Sequence, residues 1–444
     1  MAELAEPGAT DTPTVVLRKV QTRLVPFLAL LYAFCIIDRM NVSYASLQMK
    51  GDLHFSNIIY GFGSGVFFIG YFIFEVPSNL IMERVGARRW IGRIMLTWGV
   101  ISAAMMTVSS PLSFYTLRFL LGVAEAGFYP GMILYLTYWV PSHYRARVIA
   151  RFLSLQAVFA LSSPLIGGAL LRMSGVGGLR GWQWLFLIEG IPSIILGFAV
   201  LKWLPDGPEQ ALWLNADEKR WITSILQRDV ASQRQIHHLS FKTAFHDVRI
   251  VQVCAIFLIA AIGGNSVGFF GPQLLKARSH GLWSDSMVTA VNIVPAMVGA
   301  FAMVCAAGHS DRSGHRKLHI FWGYLIAGSA FLACAHAPTA WWVVCAFSFN
   351  ALGERIAAGS YWAVTSNLMG ARAAAGGIAL INSVGSLGGL IGPNLMGALV
   401  TRSHGSYTNG LYTAGVLMMV AGFLALTLPG LALQKDMSAE VITA

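Results

Sequence analysis

Asp38-Arg39, Glu75, Arg118, Glu125 and Glu354-Arg355 are charged side chains set inside stretches of sequence that are otherwise apolar. A charge in the middle of a membrane helix costs about 2.5–3.5 kcal/mol on insertion scales, so such residues line a pathway or find a partner. Arg118 and Glu125 stand seven positions apart, roughly 10 Å along one helix face. Asp38 and Arg39 are adjacent and point about 100° apart, so they serve different partners. The spacing predicts that Asp38 pairs with Arg118. Arg39 is then left to hold a carboxylate with the two parallel N–H groups of its planar fork. Glu125, beside the small residues Gly122, Ala124 and Gly127, is the carboxyl best suited to carry a proton, with Asp38 behind it. Burial disfavours its charged form, and a nearby Arg or bound anion shifts the balance again.

Tyr71, Gln156, Asn265, Asn382 and Ser386 are polar candidates for the same pathway, each able to donate to a hydroxyl or carboxylate oxygen. Hydrogen bonding between helices accounts for each of them equally well. Glu354-Arg355 is either a second charge pair of the pathway or a structural pair. No His, Cys and carboxylate spacing suits a metal, and no cofactor is expected. The five cysteines fall in apolar runs without C-x-x-C spacing and read as buried free thiols.

The elements that must position these residues are long apolar helices. The chain has 444 residues, 56% hydrophobic and only 11% charged, where a soluble domain carries about 25% charged residues. A bilayer core about 30 Å thick needs about 20 apolar residues per helix. Twelve such runs are found, near 24–46, 58–82, 91–109, 112–138, 148–172, 184–204, 248–276, 284–308, 318–336, 339–368, 375–400 and 408–432. Helices are required because backbone polar groups find no water in lipid. The organisation read from these runs is an N-terminal tail (1–23), a six-helix bundle (24–204), a polar linker (205–247), a second six-helix bundle (248–432) and a C-terminal tail (433–444). Residues 215–228 of the linker have helical composition, while His237, His238 and His246 read as solvated.

The net charge of +11 does not point to nucleic acid, because the basic residues sort by side. With both termini inside, the outer loops carry only Lys50, Arg172, Arg180, Lys276, Arg278 and Arg402, and the inner segments carry nearly all the rest. This is the positive-inside bias of a multi-pass protein of the cytoplasmic membrane.

One segment repeats. Glu83-Arg84-Val85-Gly86-Ala87-Arg88-Arg89 follows the second run, and Asp311-Arg312-Ser313-Gly314-His315-Arg316-Lys317 follows the eighth, 228 positions later. Acid, Arg, Gly and a basic pair recur at the same offsets, which reports a duplication of half the chain. Gly86 and Gly314 permit a tight turn; Glu83, Arg84, Arg88, Asp311, Arg312 and Arg316 supply a breakable ionic latch at the inner face.

These loops resemble the signature loop of the major facilitator superfamily, present once per half. Further segments are similar to its anion:cation symporter family, which includes permeases for tartrate, phthalate, hydroxyphenylacetate and sugar acids. They are Asp38-Arg39-Met40-Asn41, Tyr60-Gly61-Phe62-Gly63, Glu75-Val76-Pro77-Ser78-Asn79, Arg118 to Gly122, Glu125 to Gly131, Gly181-Trp182-Gln183-Trp184, Ile381-Asn382-Ser383 and Gly392-Pro393. The resemblance implies an all-α membrane fold of two pseudo-symmetric six-helix bundles around a central cavity. It also implies proton symport of a small organic anion by alternating access, working as a monomer, with substrate and proton coupling linked to Asp38, Arg39, Arg118 and Glu125. Glu354-Arg355 departs from the family, which is apolar or aromatic there. An anion facilitator or exchanger, and a sensor on a transporter scaffold, are the rival readings; no nucleophile elbow or phosphate-cradling loop favours an enzyme.

The orientation is tested by a single cysteine placed at Gln233: an impermeant thiol reagent should label it only in inverted vesicles. Labelling from outside intact cells would contradict the assignment.

Overall fold

A computed structural model describes residues 12–234, 248–313 and 315–428. Every apolar run is helical. The first six runs are covered by α1 (Thr12–Arg23) with α2 (Val25–Asp52), α3 (Asn57–Val85), α4 (Ala87–Ala104), α5 (Pro111–Glu125) with α6 (Phe128–Thr137), α7 (Ser142–Ala160) with α8 (Ser163–Leu171), and α9 (Gly181–Trp203). α10 (Ala216–Arg234) lies in the linker. α11 (Val248–Arg278), α12 (Asp285–Ala290) with α13 (Ile293–Ser313), α14 (Arg316–Ala335), α15 (Ala340–Arg402) and α16 (Thr408–Leu426) cover the last six. Among the described residues, ten segments are long and apolar enough to cross a membrane. The other two runs are α4, which opens on Arg88, Arg89 and Arg93, and the first part of α15.

Local sequence sets the ends. Ser56 caps α3 by accepting from the Ile59 N–H at 3.2 Å, and Ser110 and Ser113 form a reciprocal capping box before α5, with Pro111 in its first turn. Gly86 at φ +96° ends α3. Three runs are broken helices, at Gly127 (φ +79°), at 161–162 and at 291–292.

The structure departs from the sequence reading in four places. The N-terminal tail is helical from Thr12, and Lys19 donates to Glu218 of α10 at 2.6 Å. The linker helix extends to Arg234, and Asn215 caps it, accepting from the Glu218 N–H at 2.8 Å. The tenth and eleventh runs form one uninterrupted helix of 63 residues, because the Ala-rich stretch at 371–375 favours helix over a turn. Of the five free cysteines, Cys35, Cys254 and Cys334 are buried, but Cys305 and Cys345 are exposed.

The backbone clusters into two compact units. One comprises Met1–His237, Asn265–Ile293 and Gly389–Tyr407. Within it α4 and α9 meet backbone to backbone through glycines: a Cβ on Gly99 would lie 2.9 Å from the Gly190 carbonyl oxygen, and one on Gly190 would lie 2.8 Å from that of Gly99. α3 and α5 approach in the same way, at Gly70 and Gly122. The other unit comprises His238–Gly264, Val294–Gly388 and Thr408–Ala444. There α14 and α16 meet at Gly328 and Gly415, where a Cβ on either would come within 2.8 Å of the other's carbonyl. The third run thus packs on the sixth as the ninth does on the twelfth, a pairing expected of a duplicated half. The core of this unit gathers Ile256, Ile320, Tyr324, Ala357 and Tyr361, with the Tyr361 hydroxyl donating to the Val253 carbonyl at 3.0 Å.

Small residues at such contacts let membrane helices approach closely. Gly190→Ala should therefore destabilise the protein by roughly 1–3 kcal/mol through overpacking, read as a lower thermal unfolding midpoint in detergent. Gly268→Ala, where nothing lies within 4 Å of a Cβ, should not. Equal midpoints for the two variants would contradict the packing described.

Candidate substrate and coupling site

Tyr32, Cys35 and Arg39 stand at i, i+3 and i+7 and form one stripe along α2, facing the point where α5 ends. α5 stops at Glu125 because Gly127 turns into the left-handed region, where a residue with a Cβ would be strained. The break presents the Glu125 carboxylate to that stripe. Its Oε1 accepts from Arg39 Nε at 2.5 Å and from the Cys35 thiol at 3.0 Å, and Arg39 Nη2 completes an ion pair. Oε2 has no hydrogen-bond partner. The guanidinium also lies over the Tyr71 ring, 4.8 Å from its centre, and 5.5 Å from that of Phe67, a favourable contact for a cation. Glu125 is wholly buried, whereas the Arg39 side chain keeps 21% of its surface accessible. Arg39 is therefore the member of the pair that a ligand can reach. It is not free, as the spacing suggested, but held by the carboxylate assigned to carry the proton.

The expected pairing of Asp38 with Arg118 is also corrected. The turn between Asp38 and Arg39 aims Asp38 at α4, where it accepts from Trp98 Nε1 at 2.7 Å and from the Ser102 hydroxyl, while Asn41 Nδ2 of its own helix donates at 2.8 Å. Arg118 is buried and binds backbone instead: Nε donates to the Gly63 carbonyl at 3.3 Å and Nη2 to that of Ser64 at 3.2 Å. The Gly-rich stretch 61–65 packs closely, as its composition suggested, with a Cβ on Gly61 reaching 2.5 Å from the Pro393 carbonyl oxygen. Arg118 lies 4.9 Å from the Phe67 ring centre, so Phe67 stands between the two guanidiniums.

The remaining candidates are spread more widely. Gln156 is half-buried on α7, one turn beyond Phe152, whose ring stacks on Tyr32 at 5.6 Å; this places it on the face that meets the Arg39 stripe. Asn265 is half-buried on α11 in the same unit. Asn382 and Ser386 are half-buried on α15 in the other unit, and the Ser386 hydroxyl is spent on the Ser383 carbonyl at 2.7 Å. Glu354 faces α11, with Oε1 2.8 Å from where a Cβ on Gly264 would sit. Arg355 is exposed and leans on Gly299, and among the described residues no ion pair joins the two.

In the first signature loop Glu83 and Arg84 are exposed, and the acid that meets Arg88 is Asp206. Asp206 accepts from the Arg88 backbone N–H at 2.8 Å and pairs with its Nε at 3.7 Å, capping the start of α4. In the second loop Arg316 opens α14, while Gly314 and the side chains of Asp311 and Arg312 lie outside the described residues.

At the far end of α2 a polar seam ties it to α11 and α12. Lys50 donates to Asn57 Oδ1 and Gln273 Oε1, both at 2.5 Å, and Gln273 Nε2 donates to Ser46 at 3.0 Å. Lys276 pairs with Asp285 at 2.8 Å, and Arg172 Nε donates to Ser286 at 2.7 Å. The seam covers the end where the sequence reading places the outer loops.

Sequence reasoning missed Cys35, Phe67, Trp98, Ser102, Asp206 and Glu189. The i, i+3, i+7 spacing on α2 would have found Cys35, and the charge of Glu189 inside an apolar run was itself a signal.

The comparisons agree with this architecture. Residues 28–393 match the model of the Major Facilitator Superfamily. A protein of Agrobacterium vitis described as a tartrate transporter is 41% identical over 94% of this chain and 92% of its own. The metabolite transport protein NicT of Pseudomonas putida is 37% identical over 93% and 94%, and a quinolone resistance transporter of Acinetobacter baumannii 35% over 91% and 92%. In fold, the chain resembles a bacterial homologue of the human lysosomal transporter Spinster, solved inward-facing and occupied, with a TM-score of 0.74 at 16% identity over 92% of this chain and 96% of that one. A D-xylose–proton symporter gives 0.69 at 16% identity over 92% and 98%. This chain belongs to the Major Facilitator Superfamily, with twelve transmembrane helices in two six-helix bundles, and is a membrane transporter rather than an enzyme.

Proposed function

We propose that this transporter takes up a small carboxylate together with protons across the cytoplasmic membrane, with both termini inside. The observation that carries the reading is the ion pair between reachable Arg39 and buried Glu125. A substrate carboxylate and Glu125 compete for one guanidinium. Protonation of Glu125 removes its charge and frees the fork of Arg39, which then binds the substrate in two charge-assisted hydrogen bonds over the Tyr71 ring.

The charge balance makes the coupling obligatory. With the site empty, Arg39 and Glu125 cancel. With a monoanion on Arg39 and a proton on Glu125 they cancel again. An anion bound without a proton leaves one uncompensated charge among the helices, and closing over it costs several kcal/mol. Proton and anion therefore favour one another's binding, in either order. The relative described as a tartrate transporter supports an organic acid as cargo, with tartrate the first to try. The rival is exchange or facilitated diffusion without coupling, in which a proton gradient alone would accumulate nothing.

In proteoliposomes an inward proton gradient should concentrate labelled tartrate. Glu125→Gln mimics the neutral acid and should keep exchange of internal for external tartrate while losing accumulation; a variant that still concentrates tartrate on a proton gradient would contradict the role of Glu125. Arg39→Lys keeps the charge and loses the fork, so affinity should fall by roughly ten- to a hundredfold, about 1.4–2.8 kcal/mol. Unchanged binding in Arg39→Lys and Arg39→Ala would remove Arg39 from the site.

A further inference from the structure

Glu189 is a second acid that the mechanism above does not use. It lies on α9 with 4% of its surface accessible, and among the described residues the one donor beside its carboxyl is the Asn41 amide. The α4–α9 contact places it: Gly190, the next residue, meets Gly99 and Ala103 of α4, so α9 is pressed against that helix with no room for water at the contact. The titratable groups that face Glu189 are Asp38 and Tyr44, both from α2. α4 meets this stretch through Gly99 and Ala103, and α8 brings Ser163, which lies beside Tyr44. None of these is a cation.

The polar atoms around Glu189 are themselves incomplete. Asn41 adjoins it and gives its Nδ2 to Asp38, while its Oδ1 has no donor. Among the described residues the hydroxyl of Ser193, one turn along α9 on the same face, has no partner. A carboxylate in this place has no counter-ion beside it and faces the Asp38 charge, so a proton is what neutralises it. The surroundings can nevertheless receive the anion. The Asn41 amide can turn from Asp38 to Glu189, and the Ser193 hydroxyl can rotate to donate. Asp38 would retain Trp98 and Ser102.

We propose that Glu189 is a second proton-binding site of the transport cycle and that the cargo it fits is a dicarboxylate carried as a dianion. The proposal rests on the symport reading and extends its charge argument. For the buried charge to be the same with and without cargo, the protons taken up must equal the negative charges of the substrate. Glu125 balances one carboxylate, and a dianion needs one further group that binds a proton on loading and releases it on unloading. Loading adds one proton to each of the two glutamates; unloading returns both to water. No covalent bond changes.

The test measures how steeply tartrate accumulation depends on the proton gradient. In proteoliposomes with the membrane potential clamped at zero, the logarithm of the steady-state accumulation ratio rises with the pH difference at a slope equal to the protons carried per tartrate. The expected slope is about two for the wild type and about one for Glu189→Gln, with Glu189→Asp keeping about two. Equal slopes for wild type and Glu189→Gln overturn the assignment of Glu189 and leave the role of Glu125 standing. A slope of zero in the wild type overturns the symport reading and this one with it. Infrared spectra of purified protein give a readout free of transport: the carbonyl band of a neutral carboxylic acid should grow when tartrate is added to the wild type and grow less in Glu189→Gln. Equal growth in the two proteins overturns the proposal even where the variant does not transport.

Discussion

A guanidinium and a carboxylate buried together in a membrane helix bundle need one another, and the architecture around Arg39 and Glu125 follows from that need. Neither is tolerable alone in lipid, where breaking a buried pair by removing one partner costs about 3–5 kcal/mol. The pair is brought together by a stripe of α2 and by a helix break at Gly127, while the glycine contacts of α3 with α5 and of α4 with α9 hold the surrounding helices close. In the proposed cycle the accessible arginine receives the anion and the inaccessible glutamate stores the proton.

The second arginine serves a different purpose in this conformation. Arg118 spends two donors on the carbonyls of Gly63 and Ser64 and presses its charge on the Phe67 ring, whose other neighbour is Arg39. It fastens α5 to α3 and lies against the Phe67 ring that Arg39 also meets. Asp38, locked by Trp98 and Ser102 on α4 and by Asn41, ties α2 to the third run. The charged residues thus divide into the Arg39–Glu125 ion pair, Arg118 and Asp38 bonded to neighbouring helices, and Glu189, which has no cation beside it.

Much of this was legible in the sequence, and what was not has a physical reason. Apolar run length defines helices well because the bilayer sets their length, and the charges inside them announced Asp38, Arg39, Arg118 and Glu125. Which acid meets which arginine was not legible. A 100° step between neighbours shows that Asp38 and Arg39 diverge, but the direction of each depends on how α2 is rotated against α4 and α5. The acid that meets Arg88 was hidden for another reason: Asp206 is far in sequence from the loop it caps and sits in a Pro/Gly turn that reads as linker. The continuous α15 was missed because a polar break signals a turn only when its residues resist helix, and the Ala-rich stretch there does not.

The central claim is that a substrate carboxylate replaces Glu125 on Arg39 as Glu125 takes a proton. Calorimetric titration of the purified protein with tartrate, at one pH near neutrality in buffers of different ionisation enthalpy, counts the protons that accompany binding. The account predicts net proton uptake in the wild type, reduced by about one proton per tartrate in Glu125→Gln. Binding with the same proton uptake in both proteins, or with none in the wild type, would contradict it.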